Sequence, residues 1–221
     1  MFSWIKRLFG GKPPEPTPIS PEEEAAARAF DEGKQAALDA ALGGMEELVI
    51  HALIPFFVGG GLDLYPFRRH IPGTLYLTQE LFTWDKEGRP KPSRLGYFEL
   101  AAAFREDGTQ SPDDPLPSSG SAAKILNPVA RFASMAVLNP GETAEIPGDK
   151  GEPNTCFVLD RLDLRGKPLA AHGEPFFILL VIQIHPSELA FARAESSAKL
   201  FERLKARGYY PYSDLDRDPV A

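Results

Sequence analysis

At 221 residues the chain has the length of one generous domain, and 43% apolar with 25% charged residues are proportions that allow a real core. A formal net charge of −7 argues against a general nucleic-acid binder, which needs clustered Lys and Arg. The single cysteine, Cys156, excludes an intramolecular disulfide and a cysteine-based zinc site and fits a reducing cytoplasm, and no apolar run approaches the ~20 residues that span a bilayer.

Residues 1–12, MFSWIKRLFGGK, hold Lys6, Arg7 and Lys12 and no acid, so this segment is +3 and the remainder −10. Phe2, Ile5 and Phe9 share one helical face, which Trp4 and Leu8 widen. Phe2, Trp4, Lys6, Arg7 and Phe9 are therefore candidates for contact with an anionic membrane surface; docking of the same aromatics on the domain or on a second subunit is the alternative. Residues 13–19, PPEPTPI, form an extended spacer, because each Pro fixes φ and removes a donor. Residues 1–19 thus read as an arm separable from a globular unit over 20–221.

A helix then begins sharply, with Ser20 as N-cap, Pro21 in the first turn and Glu23 closing a capping box. Ala27, Phe30, Ala37, Leu38 and Ala41 give it an apolar stripe, and Gly43-Gly44 end it; its Ala-rich face suits a homodimer as well as a sheet. Residues 48–58 are apolar but broken by Pro55, giving a strand or a short helix. Strands are expected over 62–67, 75–83 and 97–105, and an acidic, Pro-bearing loop over 106–119. Residues 121–137 read as a helix that Asn127-Pro128 kinks or restarts, and 143–146 and 156–162 as strands.

Residues 176–184 are nearly unbroken in apolar side chains, with only Gln183 interrupting, which marks a strand covered on both faces. Pro186 then opens a helix with Ser187 as its cap, Glu188 in its first turn, Leu200, Phe201 and Leu204 on its buried side, and Gly208 as its stop. The pattern predicts an α+β fold: a central mixed, largely antiparallel sheet flanked by helices, with Ile178, Leu180, Ile182 and Leu204 in the core.

Chemistry-bearing groups are scattered. His51, His70, His172 and His185 have no metal-ligand spacing, so neither a metal nor a cofactor is expected. His185, ending a buried strand, is expected on a backbone carbonyl. Cys156 opens an apolar strand and reads as a small hydrophobe. Gly59-Gly60-Gly61 lacks the phosphate-cradle pattern and reads as a flexible turn. Asp63 and Glu99 interrupt apolar strands; on neighbouring strands they would form a glycosidase-like pair with a histidine nearby, and otherwise a structural pairing with Arg68, Arg94 or a backbone turn.

Three segments, in order, resemble the suppressor-of-fused-like family. The first is GGGLDLYPFRRHIPGTLYLTQELF, residues 59–82, with Asp63 and Tyr65 on one strand, Gly73 in the turn and Thr78 after the next strand begins. The second is LGYFELAAAF, residues 95–104, with Glu99-Leu100 inside an apolar strand; the third is the long strand that ends at Pro186, with Glu188-Leu189 opening a helix. The resemblance runs from Glu46 to Arg217 and implies a protein-binding domain without the large second domain of animal members, its bacterial members implying an immunity or interaction role.

Three function classes follow. The leading one is a non-catalytic domain that holds another polypeptide by strand addition, such as a toxin encoded nearby. The partner is expected to be basic, drawn by Glu106, Asp107, Asp113, Asp114, Glu142, Glu145, Asp214, Asp216 and Asp218. The second is a peripheral adaptor at the inner membrane surface, anchored by the arm, and the third a hydrolase or lyase using Asp63, Glu99 and a histidine.

Overall fold

The computed structural model describes residues 20–86, 88–105, 116, 118–148, 151 and 153–221. The arm residues Phe2, Trp4, Lys6, Arg7 and Phe9, and the loop acids Glu106, Asp107, Asp113 and Asp114, lie outside the described residues. Among the described residues four α-helices and seven strands follow in the order α1 (Pro21–Leu42), β1 (Tyr65–Phe67), β2 (Thr74–Leu77), β3 (Tyr97–Phe104), α2 (Ser119–Ala133), β4 (Thr143–Ile146), β5 (Thr155–Arg161), β6 (Leu169–Ala171), β7 (Glu174–Ile184), α3 (Pro186–Ala194) and α4 (Ser197–Ala206). They form one sheet of order β1-β2-β3-β7-β5-β4, with β6 on β7 beyond the end of β5. Only β3 with β7 is parallel; the other pairings are antiparallel. This is the mixed, largely antiparallel sheet that the sequence predicts.

β7 is the axis of the sheet, paired along one side with β3 and along the other with β5 and β6. Strand side chains alternate faces, and both faces of β7 are covered. Ile178, Leu180 and Ile182 pack with α1, α3 and α4, in a core that holds Phe30, Leu38, Leu189, Leu200 and Leu204. Phe177, Leu179 and Val181 pack on the other side with Ala122, Ile125, Leu126 and Val129 of α2. Truncating any of the central β7 side chains to Ala removes about 2–5 kcal/mol.

Local chemistry sets the helix ends. Ser20 and Glu23 form a reciprocal capping box, with Glu23 Nα–H donating to Ser20 Oγ at 3.2 Å and Ser20 Nα–H to Glu23 Oε2 at 2.9 Å. Gly43 ends α1 in the left-handed region at φ 95°. Two sequence expectations are corrected at the C-terminal end. The N-cap of α3 is His185, whose amide donates to the Glu188 carboxylate at 2.9 Å, and Ser187 lies inside the helix. The segment up to Gly208 is two helices and not one, because Ser196 caps α4 by accepting the Lys199 amide at 3.2 Å. α2, in turn, runs through Pro128 as one helix.

A buried ion pair fastens the C-terminal tail to this frame. Arg217 Nη1 and Nη2 donate to Glu188 Oε1 and Oε2 at 2.6 and 2.8 Å, with both side chains at most 2% exposed. The Val220 amide adds a bond to Oε1 at 2.9 Å, and His185 Nε2 meets the Arg217 carbonyl at 2.9 Å, as the sequence reading expects of a strand-end histidine. Just upstream, Ser213 sits between β3 and β7: its amide donates to Ala103 O, and its hydroxyl accepts from Gln183 N–H.

Burial alone would raise the Glu188 carboxyl, but Arg217 and the two amides outweigh it and hold the group below its ordinary range. A carboxyl depressed on folding stabilises the protein above the unfolded value of ~4.3, and that contribution is lost as pH falls through the lower, folded value. Glu188→Gln should therefore cost about 3–5 kcal/mol at neutral pH, since Arg217 stays buried without its anion. The variant should also lose less further stability than the wild type on acidification below pH ~4, in urea titrations over that range.

Candidate functional site

Of the two carboxylates that look chemical in the sequence, Glu99 is buried with four donors and Asp63 is partly exposed with two. Glu99, fully buried on β3, accepts from Lys34 Nζ at 3.3 Å, Thr78 Oγ1 at 2.7 Å, and the amides of Phe82 at 2.9 Å and Leu81 at 3.3 Å. Lys34, on α1, also donates to the carbonyls of Phe82, at 2.8 Å, and Gln79. Thr78 completes the knot by accepting the Leu100 amide at 3.0 Å. The family-resembling positions Thr78, Glu99 and Leu100 thus belong to one structural cluster, and the partner of Glu99 is Lys34, not Arg68 or Arg94.

Asp63 lies just before β1, where it accepts from Ala52 N–H at 2.8 Å and pairs with His51 Nδ1 at 2.7 Å. Because β2 separates β1 from β3, Asp63 and Glu99 are not on neighbouring strands. Burial, followed by the nearby charges of Asp63, Glu80 and Glu99, pushes the Tyr65 hydroxyl up to about 12. Gly73 turns the chain into β2 at φ 102°, a conformation that favours glycine. Pro186 is the first residue of α3, and Glu188 and Leu189 are buried in the tail clamp and the core. Burial also raises the Cys156 thiol, as expected of an inert core cysteine. Among the described residues no cluster of three or more His, Cys, Asp or Glu side chains could hold a metal.

The two ends of the sheet differ. The outer side of β1 is occupied: Ile50 and Leu64 exchange both backbone bonds, at 3.0 and 2.9 Å, and Glu46 N–H donates to Pro66 O at 3.0 Å. β6, three residues long, has Leu169 and Ala171 buried beneath α1. β4 pairs with β5, and among the described residues no other segment pairs with it. Leu159 N–H donates to Glu142 O, so the antiparallel alternation turns the main chain of Thr143 and Glu145 away from β5.

A groove of about 620 Å³ lies over this edge. One wall is Phe132, Val137 and Leu138 at the end of α2, the opposite wall is Ala192, Ser196 and Ser197 at the α3–α4 junction, and the floor is Gly141, Glu142 and Thr143 at the start of β4. Phe132 and Val137 are 39% and 46% exposed there. Glu145 is tied to Arg193 at 3.0 Å and to Asn154 at 2.9 Å, which hold its carboxyl below the ordinary range. Asp214, Asp216 and Asp218 are not part of this groove; Ser213, beside them, lies on the β3 side of β7, with β5 between it and β4.

An aromatic box passed unnoticed in the sequence. Arg89 lies 4.5 Å from the Phe82 ring and 4.7 Å from Tyr97, two rings that stack on each other, and bonds Glu174 at 2.7 Å. It joins the loop after β2 to the start of β7 by cation–π contact and an ion pair.

These features define an α+β domain built on an open mixed sheet with helices on both faces. No protein-family model matches the sequence, and no curated protein matches it significantly. The fold is Suppressor-of-Fused-like. The crystal structure of the Sufu–Fu complex aligns over 88% of this chain and 92% of that one, with a TM-score of 0.60 and 15% identity. A crystal structure of Drosophila Suppressor of Fused aligns over 79% of this chain and 46% of that one, with a TM-score of 0.55 and 15% identity, so the chain spans about half of that protein.

The Lys34–Glu99 knot makes a definite energetic statement. Lys34→Met should cost about 3–5 kcal/mol, because it strands a buried carboxylate; adding Glu99→Gln should recover part of that loss. A double-mutant cycle in chemical denaturation reads the coupling, and simple additivity of the two substitutions would contradict the arrangement described.

Proposed function

We propose that this chain is a non-catalytic protein-binding domain that takes an extended segment of another protein onto the outer edge of β4. The observation that carries the reading is the coincidence of an edge strand whose outer side is unpaired among the described residues with a groove that opens at its first residue, Thr143. Strand addition supplies affinity through main-chain bonds at Thr143 and Glu145, and the groove selects a side chain through Phe132, Val137 and Ala192. The Sufu–Fu complex supports it, since a protein with this fold is found there with another protein bound. Complete burial of Glu99 among four structural donors weighs against the hydrolase alternative.

The partner is basic in this reading. The chain carries −7, Glu142 adjoins Thr143, and Asp214, Asp216 and Asp218 add long-range attraction beyond the groove, as do Glu106, Asp107, Asp113 and Asp114 of the sequence. Neutralising a toxin encoded alongside is the use that the resemblance to bacterial members favours. In this reading residues 1–19 serve as a separable tether, and the domain works in the cytoplasm or, through the basic arm, at the inner membrane surface.

A photoreactive residue at position 145, followed by identification of the cross-linked segment, supplies the ligand for titration calorimetry. Thr143→Pro, at the first residue of the strand, removes an outward N–H while sparing the β5 ladder. It should weaken the identified segment by about tenfold or more without lowering the melting midpoint appreciably, and binding should weaken with salt. Unchanged affinity in Thr143→Pro, or turnover of a small substrate abolished by Glu99→Gln in a folded protein, overturns the reading.

A further inference from the structure

A second surface stands apart from the β4 edge. In the loop of residues 50–61, Leu53 is 102% exposed, as much as in an extended chain, and Ile54 and Val58 are 58% and 62% exposed. This loop is built and not slack. Gly60 N–H bonds Pro55 O at 3.0 Å and Gly61 N–H bonds Ile54 O at 2.9 Å; Arg131 of α2 donates to Gly59 O at 2.9 Å, and Asn127 accepts the Leu62 amide at 2.7 Å. A Cβ on Gly60 would fall 1.7 Å from the Ile54 carbonyl oxygen, so the backbone closes here in a way that only glycine permits. Gly60 is therefore the closely packed point of the Gly59-Gly60-Gly61 turn, while Gly59, at φ 96°, borders open space. The loop holds three aliphatic side chains out in water, where their hydration is unfavourable.

The two segments that carry these side chains and support them contain no acid. Residues 48–62 contain no Asp, Glu, Lys or Arg, and residues 119–138, which the loop leans on, contain Lys124 and Arg131 and no acid. These segments carry +2 in a chain of −7, leaving −9 on the remainder. The carboxylate that the loop touches, Asp63, is turned to the Ala52 amide and to His51.

We propose that this face rests on an anionic membrane surface, with Leu53, Ile54 and Val58 inserted at the headgroup–acyl boundary and Lys124 and Arg131 among the lipid phosphates. A lipid surface fits better than a protein pocket because the apolar groups are aliphatic and protrude from a hydrogen-bonded turn, Asp63 beside them is turned to His51 and the Ala52 amide, and the charged side chains of the supporting segment 119–138 are both cations. Apolar insertion combined with basic residues is the combination by which peripheral proteins hold anionic bilayers. Residues 1–12, with their charge of +3, supply a second and separate attachment of the same sign. The proposal is independent of strand addition at β4, which lies on other residues.

The test is co-sedimentation of the full chain with phosphatidylcholine vesicles, with and without about one quarter phosphatidylserine. Wild type should sediment with the anionic vesicles and release as salt rises. Leu53→Ser combined with Ile54→Ser should lower partitioning about tenfold with an unchanged melting midpoint, since both side chains are exposed in the free protein. Lys124→Glu should weaken it several-fold. Failure of the wild type to sediment, equal sedimentation with phosphatidylcholine alone, or sedimentation unaffected by the Leu53 and Ile54 substitutions overturns the proposal; the last outcome would leave the N-terminal arm as the sole anchor.

Discussion

One carboxylate, that of Glu99, holds three parts of the molecule in register. It lies fully buried on β3, and its four donors come from α1, from Thr78 just after β2 and from the amides of the loop that follows. A buried charge costs several kcal/mol unless it is paired and its lone pairs are filled. No nearby alternative docking of α1 satisfies this group, because Lys34 must arrive within reach of Glu99 and of the Gln79 and Phe82 carbonyls together. The helix is thus positioned by polar specificity, and Phe30, Leu38 and Leu42 around it supply the apolar gain.

The Glu188–Arg217 clamp repeats the principle on the far side of β7. There the buried charge fixes the tail, and the tail in turn lays Ser213 between the diverging ends of β3 and β7. Residue types that elsewhere perform acid–base chemistry are consumed here in holding the layers together. Among the described residues these layers leave uncovered the outer side of β4 and the apolar side chains of the loop at 50–61.

Much of this architecture can be read from local pattern. The unbroken apolar run of β7, the capping box at Ser20 and the bounds of β4 each follow from residues near one another in sequence. Lys34 is the instructive omission. It stands four residues after Phe30 and four before Leu38, so the spacing already puts it on the buried stripe of α1, yet a lysine is ordinarily assigned to solvent. β6 is three residues long and gives too little periodicity to see, and the α3–α4 break rests on a single Ser cap. The site itself was the least legible part. That β4 ends the sheet depends on the order of strands, which is a property of distant pairings and leaves no trace in the TAEI segment.

The central claim is that a frame locked by buried charges presents the outer side of β4 to partners. Amide hydrogen exchange of the free protein tests it directly, because it reports protection residue by residue. The account predicts that Leu81, Phe82 and the β7 amides exchange only with global unfolding, while the Thr143 and Glu145 amides exchange orders of magnitude faster. Protection of Thr143 and Glu145 equal to that of β7 would mean that the edge is already covered, and would contradict it.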